Sequence, residues 1–343
     1  MEEKINRFSK ENKDQLVLVP NYDGFINMLK RHIAGPLIDF STVIVLIIWD
    51  LLFLKINFNS SVFIVIHFFL ILLSLFFLYN IIVKFNKIKT NTFIFEIENL
   101  KQPFSFIFVS DLHLGKNYAS THKIRLRHMI KIINDLNPEV VILGGDFLNY
   151  EFEHNLLFYL KEIRCQNKIG VYGNHDAYYL KNNKYATPKD LISFLNKLNI
   201  RILNNEGFIY KHLIDDIFFA GIPDLYSKAF DLELAFKKSP ANIVKILISH
   251  NPDIIDFVKK EDDIDLILSG HNHSGQIYIK PLGALLPMPS KKRWLTKGIF
   301  NIVGKTRLFL SQGVGYGGSR LRIGTESEIC LINLIPKKVL HSQ

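Results

Sequence analysis

The chain has 343 residues, a formal net charge of +10 and two cysteines. This length allows one large or two ordinary domains, and Cys165 and Cys330 exclude both a disulfide framework and a C-x-x-C metal or redox site. Most of the positive surplus follows His273, where eleven Lys and Arg residues stand against two Glu residues, a balance typical of proteins that bind phosphate, acidic lipid or nucleic acid.

The N-terminal quarter predicts membrane-embedded helices. Ser61–Val83 contains 23 residues without a formal charge, which is long enough for a transmembrane helix. The upstream segment 37–54 is also apolar, but it contains Asp39 and Asp50, and a carboxylate at membrane depth is costly. We therefore predict one strong span and a second, poorer one, which together cover residues 37–83.

The basic residues around these segments favour a helical hairpin. Residues 1–36 carry six Lys and Arg residues, and Lys84, Lys87 and Lys89 follow the strong span. A hairpin places both basic flanks on the cytoplasmic side, in agreement with the positive-inside rule. A catalytic domain that follows would then face the cytoplasm from the inner membrane. A single span preceded by an interfacial helix is the alternative that stays open.

From residue 104 onward the sequence is typical of an α/β domain. Short apolar runs alternate with polar, helix-like stretches, without a repeat or a low-complexity linker. Strands are predicted at 104–109, 140–143, 168–172, 217–222, 244–248, 265–268, 276–279, 307–310 and 328–334. Helices are predicted at 122–136, 155–164, 188–198 and 232–238. We predict a linker at 84–103, one catalytic domain at 104–336 and a short tail at 337–343.

Polar side chains follow five of these strands at the points where the strands end. They are Asp111 and His113, then Asp146, then Asn174, His175 and Asp176, then His250, and finally His271 and His273. Each one alone could be a helix cap or a turn residue. Because open α/β sheets bind ligands outside the carboxyl ends of their strands, five such blocks in the same position predict a shared site.

The chemistry of these side chains predicts a metal centre. The set offers carboxylate and amide oxygens and imidazole nitrogens without a thiolate, which suits Mn, Fe, Zn or Co rather than a closed structural zinc site. The seven candidate ligands are Asp111, His113, Asp146, Asn174, His250, His271 and His273. Seven are too many for one ion. Two ions about 3.5–4 Å apart with one shared carboxylate would use them, and such a pair activates a bridging water and holds phosphoryl oxygens.

Five blocks carry a family resemblance: DLH (111–113), GGD (144–146), GNHD (173–176), SHNPD (249–253) and GHNH (270–273). In order and spacing they resemble the calcineurin-like metallophosphoesterase superfamily, over roughly residues 104–334. The resemblance implies a four-layer α/β fold, in which a β-sandwich is flanked by helices, and a centre of two divalent ions with Mn favoured.

The resemblance also implies a role for each residue. It assigns Asp111, His113 and His273 to the first ion, Asn174, His250 and His271 to the second, and Asp146 to both as a bridge. It implies that His175 donates a proton to the leaving oxygen or stabilises the transition-state charge, and that Asp176 orients His175.

The C-terminal part resembles a membrane-associated bacterial branch of this superfamily. The stretches GHNHSGQIYIKPLGALLP and LSQGVGYGGSRLRI carry that resemblance. The branch includes the chlamydial-type UDP-2,3-diacylglucosamine pyrophosphatases of lipid A biosynthesis. The resemblance implies hydrolysis of a phosphodiester or pyrophosphate bond in a phosphorylated lipid or nucleotide-lipid substrate at the membrane.

Basic residues in the same region are candidates for substrate binding. They are Lys291, Lys292, Arg293, Arg320 and Arg322. The first three lie among the apolar residues of 282–300, a composition that suits a lipid headgroup surface. The other two follow a Gly-rich turn, from which they could reach a phosphate. A solvated basic loop without a ligand is the alternative.

Two other functions stay open. A phosphodiesterase that acts on soluble nucleotides or nucleic acid would also use a basic surface. Aromatic residues are not regularly interleaved with the basic ones, however, so we expect no specific nucleic-acid partner. The second alternative is a catalytically inactive, membrane-tethered scaffold, against which the presence of every predicted ligand argues. The sequence leaves the oligomeric state open.

Overall fold

Two six-stranded sheets form the centre of the catalytic domain in the computed structural model. The structure describes residues 39–41, 43–52, 61–116, 118–149, 153–176, 188–286 and 288–337. The predicted N-terminal segment 1–36, and residues 338–343 of the predicted tail, lie outside the described residues.

The strands, in chain order, are β1 (Lys89–Ile97), β2 (Phe104–Val109), β3 (Val140–Leu143), β4 (Asn167–Gly170), β5 (Ile200–Ile202), β6 (Glu206–His212), β7 (Asp215–Gly221), β8 (Val244–Ile248), β9 (Leu266–Ser269), β10 (Tyr278–Ile279), β11 (Gly283–Ala284), β12 (Gly298–Asn301), β13 (Arg307–Leu310) and β14 (Glu328–Pro336). The first sheet has the order β1-β14-β2-β3-β4-β5 and the second β12-β13-β9-β8-β7-β6. The strands β10 and β11 form a separate antiparallel hairpin. The α-helices that cover the sheets are Lys123–Leu136, His154–Phe158, Pro188–Lys197 and Leu232–Phe236.

Alternating side chains on β2 explain why the sheets pack in layers. Phe106 and Phe108 point between the two sheets, whereas Ile107 and Val109 point outward to the Lys123–Leu136 helix. This period of two is the period of a strand that is buried on both faces. A third apolar cluster covers the outer face of the second sheet. The predicted α/β class with several sheets is therefore confirmed, and the layers follow the order helices, sheet, sheet, helices.

The segment expected to be a linker contributes a strand to the first sheet. Within 84–103, Lys89–Ile97 forms β1 and pairs in parallel with β14 over nine residue pairs. Phe95 is fully buried between the sheets, and the residues on either side of it are exposed. We therefore propose that the catalytic domain begins at β1, because burying an aromatic ring of this kind contributes about 1.5–3 kcal/mol. The polar Lys, Thr and Asn residues at its start hide this edge strand in the sequence.

One of the described helices is long and apolar enough to cross a membrane, and it covers Ile64–Asn86. Its α-helical part is Ser61–Leu78, which ends in the short turns Tyr79–Val83 and Lys84–Asn86. It is apolar on all sides, and its described side chains are largely exposed, for example Ile64 at 68%. Such a helix suits lipid better than water.

Residues 43–52 form a second apolar helix beside the first, and we call residues 39–41, 43–52 and 61–86 the N-terminal helical pair. Asp50 forms an ion pair with His67 at 2.5 Å. Val43 packs in one cluster with Ile81 and with Leu321 of the catalytic domain. The two helices therefore run antiparallel. The predicted second span at 37–54 is described only in part, and the transmembrane hairpin stays a prediction.

Candidate metal centre

Parallel strands end at one edge of the sandwich and bring the polar blocks together there. In the first sheet β2, β3 and β4 are parallel, and in the second β7, β8 and β9 are parallel. The side chains predicted as ligands or catalytic groups all follow the carboxyl ends of these strands, where ligands bind in open sheets. Three groups there have ligand atoms within 4.8 Å of one another: Asp111, His113 and His273; His113, Asp146 and His175; and Asp146, His250 and His271.

Five of the candidate ligands have a left-handed backbone. The angle φ is 57° at Asp111, 47° at His113, 54° at Asp146, 72° at His271 and 46° at His273. For residues other than glycine this conformation costs about 1–3 kcal/mol each and persists where the surrounding structure enforces it. Backbone bonds enforce it here, since the Asp111 N–H donates to the Gly145 carbonyl at 3.0 Å and the His113 N–H to the Asp146 carbonyl at 2.9 Å. Strain concentrated on ionisable residues is typical of a functional site.

The first half of the centre fits one metal cation. His113 Nε2 lies 3.0 Å from His273 Nε2, and the latter lies 3.4 Å from Asp111 Oδ1. Metal–nitrogen bonds of about 2.0–2.1 Å place neighbouring ligands of one cation about 2.8–3.0 Å apart in octahedral and about 3.3–3.4 Å apart in tetrahedral geometry. The three atoms are therefore spaced as ligands of a shared ion.

The second half repeats this spacing and shares a carboxylate with the first. His250 Nε2 lies 3.3 Å from His271 Nδ1 and 3.2 Å from Asp146 Oδ2. The same Asp146 oxygen lies 3.6 Å from His113 Nε2. One oxygen thus stands between the two imidazole pairs, which is the position a ligand bridging two ions requires.

Two further observations test whether these residues suit a metal. His250 Nδ1 donates to the Gly144 carbonyl at 2.8 Å. This bond fixes the tautomer and leaves the Nε2 lone pair directed at the centre. The side-chain oxygen of Asn174 is buried without a hydrogen-bond partner among the described residues, and such an oxygen is a good donor for a hard or borderline cation. The donor set therefore fits two divalent ions.

Burial determines most protonation states in the centre. It lowers the pKa of His113, His271 and His273, so these imidazoles are neutral at neutral pH. Burial also acts to lower the pKa of His250, but Asp146 and Asp111 raise it to about 10. Burial acts to raise the pKa of Asp146, but His250 and His175 hold it well below its usual range. A bound cation would compete with the proton on His250, because ligands bind metals in their deprotonated form.

His175 stands at the mouth of the centre. Its side chain is 16% exposed, whereas those of Asp146 and His250 are 2% and 0% exposed. The backbone N–H of His175 donates to Asp146 Oδ1 at 2.9 Å, and the His175 ring lies edge-on to that of His113 with centroids 4.5 Å apart. The imidazole is therefore both anchored to the centre and accessible to a substrate.

Asp176 holds the turn that carries His175. Its carboxylate accepts the backbone N–H groups of Gly173 at 2.9 Å, Leu148 at 3.0 Å and Phe147 at 3.2 Å. Burial and the nearby Asp146 raise the pKa of Asp176 to about 7. These bonds tie the loop after β4 to the loop after β3.

The sequence analysis missed two residues at the same edge. Asp224 is fully buried and accepts the N–H of Tyr226 at 2.8 Å, and the Tyr226 ring lies 5.6 Å from that of His271. Burial raises the pKa of Asp224 to about 6. Both residues follow β7, so the letters PDLY directly after the predicted strand 217–222 carried the same signal as the other five blocks.

The structure places Arg322 under the centre. It is fully buried, its Nη2 donates to the carbonyls of Gln312 at 2.8 Å and Gly315 at 2.7 Å, and the same atom lies 3.4 Å from His273 Nδ1. Its donors thus hold the loop after β13. Contact of Arg322 with substrate stays a prediction.

Arg320 lies between aromatic rings. Its guanidinium carbon is 4.1 Å from the Tyr118 ring centroid and 4.3 Å from that of Phe85, and its Nε donates to the Tyr118 carbonyl at 2.6 Å. Arg320 therefore joins the N-terminal helical pair to the catalytic domain, and its predicted substrate contact is untested.

The cluster Lys291, Lys292 and Arg293 lies on the surface loop that leads to β12. Lys292 pairs with Asp256 at 2.7 Å, and the Arg293 Nη2 donates to the Ala284 carbonyl at 3.3 Å. Contact of this cluster with substrate or lipid stays a prediction.

Comparison with known proteins identifies the family. The sequence profile of the calcineurin-like phosphoesterase family matches residues 104–275, which contain all five blocks. The chain belongs to the calcineurin-like phosphoesterase family. The predicted resemblance is thereby confirmed, and the dinuclear centre of divalent ions that this family uses agrees with the spacing described above.

Three relatives illustrate the range of the family. An uncharacterized metallophosphoesterase of Helicobacter pylori is 30% identical over 249 residues, which are 70% of this chain and 62% of the relative. A Danio rerio protein, named transmembrane protein with metallophosphoesterase domain, is 28% identical over 66% of this chain and 52% of its own length. UDP-2,3-diacylglucosamine pyrophosphatase LpxG of Chlamydia muridarum is 25% identical over 66% of this chain and 82% of its own length. The chain thus spans less than two thirds of the Helicobacter relative.

Proposed function

We propose that this chain is a membrane-anchored, metal-dependent phosphoesterase that cleaves a phosphodiester or pyrophosphate bond in a lipid-linked substrate such as UDP-2,3-diacylglucosamine. The observation that carries the proposal is the position of Asp146 Oδ2, which lies 3.2 Å from His250 Nε2 and 3.6 Å from His113 Nε2. An oxygen between two pairs of imidazole nitrogens suits a two-ion centre for phosphoryl transfer. The activity named in the Chlamydia muridarum relative, UDP-2,3-diacylglucosamine pyrophosphatase, supports this substrate class.

Hydrolysis adds the oxygen of a water molecule to phosphorus and breaks the bond between phosphorus and the leaving oxygen. Two divalent ions, with manganese favoured, supply an easily ionised water and neutralise phosphoryl charge when bound. His175 Nε2 then donates a proton to the leaving oxygen, or a hydrogen bond to its developing charge. Asp176 holds the turn of His175 through three backbone amides, and the backbone N–H of His175 donates to Asp146, which fixes the backbone that carries the imidazole.

We further propose that the N-terminal helical pair is a transmembrane hairpin whose two open ends meet the catalytic domain. Support comes from antiparallel contacts: Asp50 pairs with His67, and Val43 packs beside Ile81. The pairing of Asp50 reduces the cost that made this segment a poor span, because ionisable groups in a membrane are found paired. A hairpin also puts both basic flanks on one side, the cytoplasmic face of the inner membrane.

An apolar surface beside the hairpin supports a lipid-linked substrate. Ile277 packs against the cluster of Val43, Ile81 and Leu321 and leads directly into the β10–β11 hairpin. At and after the tip of that hairpin, exposed apolar side chains accumulate: Leu282 is 71%, Leu285 48% and Trp294 56% exposed. Apolar and basic side chains next to a membrane helix suit a headgroup surface. The acyl chains of a substrate could then stay in the bilayer while the diphosphate reaches the centre.

The test is incubation of the full chain, in lipid nanodiscs with Mn²⁺, with UDP-2,3-diacylglucosamine, followed by mass analysis of the products. We expect UMP together with a lipid monophosphate, and we expect His175→Ala to abolish most of this product without losing bound Mn²⁺. Cleavage of a generic aryl phosphodiester or of soluble nucleotides, with no cleavage of the lipid, would favour the alternative of a soluble-nucleotide phosphodiesterase. No cleavage of any substrate by a chain that binds metal would favour the inactive scaffold.

A second test concerns the basic cluster. Exchange of Lys291, Lys292 and Arg293 for Gln should weaken binding to anionic vesicles by about 1 kcal/mol for each charge near the surface. It should raise KM for the lipid substrate and spare a soluble aryl phosphodiester. The matched control exchanges three exposed lysines near β6, at the opposite edge of the second sheet: Lys211, Lys237 and Lys238. Equal losses on both substrates would assign the cluster to folding, and no loss on either would leave it a solvated loop.

A further inference from the structure

Asp39 is a buried carboxylate in the N-terminal helical pair, far from the metal ligands in sequence but bonded to the catalytic domain. It is 0% exposed. Its carboxylate accepts the Ser319 hydroxyl and, at 2.7 Å, the backbone N–H of Arg320. A buried carboxylate needs such partners, because burying a charge without them is very costly. The helical pair is thus joined to the loop after β13 by specific polar bonds as well as by apolar packing.

The loop that Asp39 holds lies against His273. Gly317 packs on that imidazole, since a Cβ at Gly317 would lie 3.6 Å from His273 Nε2. Gln276, three residues after His273, accepts the Gly317 N–H at 2.6 Å and donates to the carbonyl of Ser319 at 2.9 Å. A chain of four contacts therefore leads from Asp39 to a ligand candidate of the first ion, through Ser319, Gln276, Gly317 and His273.

The loop that follows His113 also contacts the residues that Asp39 binds. Arg320, whose backbone Asp39 binds, stacks on Tyr118 and donates to its carbonyl. Phe40 packs on the Tyr118 ring with centroids 5.8 Å apart. The end of this loop is bonded directly to His113, the candidate metal ligand, because the Thr121 N–H donates to the His113 carbonyl at 2.9 Å.

We propose that Asp39 is a positioning residue, through which the N-terminal helical pair holds the loops that set His113 and His273 for the first metal ion. The helical pair then does more than tether the domain. A change in the position of the helical pair would change the placement of His113 and His273, and with it the geometry of the first ion. This inference rests on the proposed two-ion function, but it concerns a residue outside the five family blocks. The candidate ligands of the second ion follow β3, β4, β8 and β9. Of these only His271 lies on a loop that Asp39 reaches, and its N–H is held separately by Asp111 at 3.0 Å, so we expect the second ion to be unaffected.

The experiment measures Mn²⁺ binding to the full chain in lipid nanodiscs by calorimetry and by electron paramagnetic resonance, without substrate. In Asp39→Ala we expect one of the two ions to bind about tenfold more weakly, the lower limit for groups that orient metal ligands, and the other to bind as in the wild type. Asp39→Asn keeps one acceptor oxygen and should lose less. At saturating Mn²⁺ the number of bound ions should return to two.

The matched control is Asp265→Asn. Asp265 is also a buried carboxylate, which accepts the Lys245 N–H at 2.8 Å and pairs with Lys305 at 2.9 Å, but it lies at the start of β9, away from the centre. It should lower Tm without a change in the affinity for either ion. Unchanged affinities in Asp39→Ala would overturn the proposal. So would a loss of both ions in proportion to a lower Tm, because that pattern is a general folding defect.

The outcomes also separate this inference from the proposed function. A wild type that binds two Mn²⁺ ions and cleaves no phosphoester would refute the function, while the comparison of Asp39→Ala with Asp265→Asn would still decide the role of Asp39. A wild type that binds no Mn²⁺ would overturn both.

Discussion

A methyl group added at Gly270 should displace Asp111 and weaken the first metal ion. A Cβ built on Gly270 would lie 2.4 Å from Asp111 Oδ2 and 2.5 Å from Ser110 Oγ. The carboxylate is held in place on the other side, because the His271 N–H donates to Asp111 Oδ1 at 3.0 Å. Gly270→Ala therefore forces either the Asp111 carboxylate or the loop of His271 and His273 to move.

The size of the movement follows from the contact. To reach 3.0 Å, the shortest separation that real Cβ atoms show, the oxygen must retreat by about 0.6 Å. Metal–ligand distances tolerate about 0.2 Å, and disturbing the groups that orient a metal ligand costs about 10–100-fold in metal affinity. We therefore expect the affinity for the first ion to fall by about 100-fold and turnover at low Mn²⁺ to fall with it.

The assay is Mn²⁺ titration of the full chain, read as bound ions and as hydrolysis of an aryl phosphodiester. The control is Gly298→Ala, because Gly298 has a φ of 95° and a Cβ there meets nothing within 4 Å. That variant strains the backbone, because alanine disfavours a positive φ, but it introduces no steric clash, so it should keep both ions. If Gly270→Ala retains two tightly bound ions and normal kcat, Asp111 is not a ligand in the geometry described here.

Three further outcomes are expected. Asp146→Asn should lose most of the second ion, because the shared oxygen then lacks its charge; elemental analysis that finds two ions per chain would contradict the bridge. His175→Ala should keep its metal and lower kcat by roughly 10²–10⁴-fold, the usual range for a positioned proton donor; unchanged kcat would remove His175 from the mechanism. Asp224→Asn should flatten the pH dependence of metal-free stability. Burial raises the pKa of Asp224 to about 6, so its contribution to stability is full below about pH 4 and is lost as pH rises through 6, by about 3 kcal/mol in total. Denaturant unfolding of both chains in EDTA from pH 4 to pH 8 measures this difference.

The strand ends explain how far the sequence predicts the site. In a parallel α/β sheet, the residues after each strand lie at one edge whatever the length of the connections. Asp111, Asp146 and His250 therefore come together although more than a hundred residues separate the first from the last. Backbone strain was not visible in the sequence, because nothing in the letters marks Asp111 or His113 as left-handed.

Sequence patterns failed to predict two kinds of feature. One is a strand that begins with polar residues, and the other is a contact between residues far apart in sequence. β1 begins with Lys, Thr and Asn and shows its alternation only at Phe93 and Phe95, so an edge strand resembled a linker. His67 is the one histidine of Ser61–Val83, and no pattern in that segment indicates a partner for it, whereas the structure pairs it with Asp50. Such pairs depend on the packing of two helices, which the periodicity of either helix alone does not contain.

The contacts of the basic residues near the C-terminus were also not predictable from sequence patterns, and these contacts determine which groups their charge acts on. Arg320 and Arg322 were predicted as phosphate ligands because they follow a Gly-rich turn, yet the turn folds back under the centre and directs Arg322 to the backbone carbonyls of its own loop. A buried guanidinium with several carbonyl acceptors is a rigid cross-link. Because Arg322 also lies 3.4 Å from His273 Nδ1, its positive charge favours the neutral imidazole, which is the form that binds a metal. The charge of Arg322 thus acts on a candidate ligand, whereas contact of the exposed loop before β12 with an anionic surface stays a prediction.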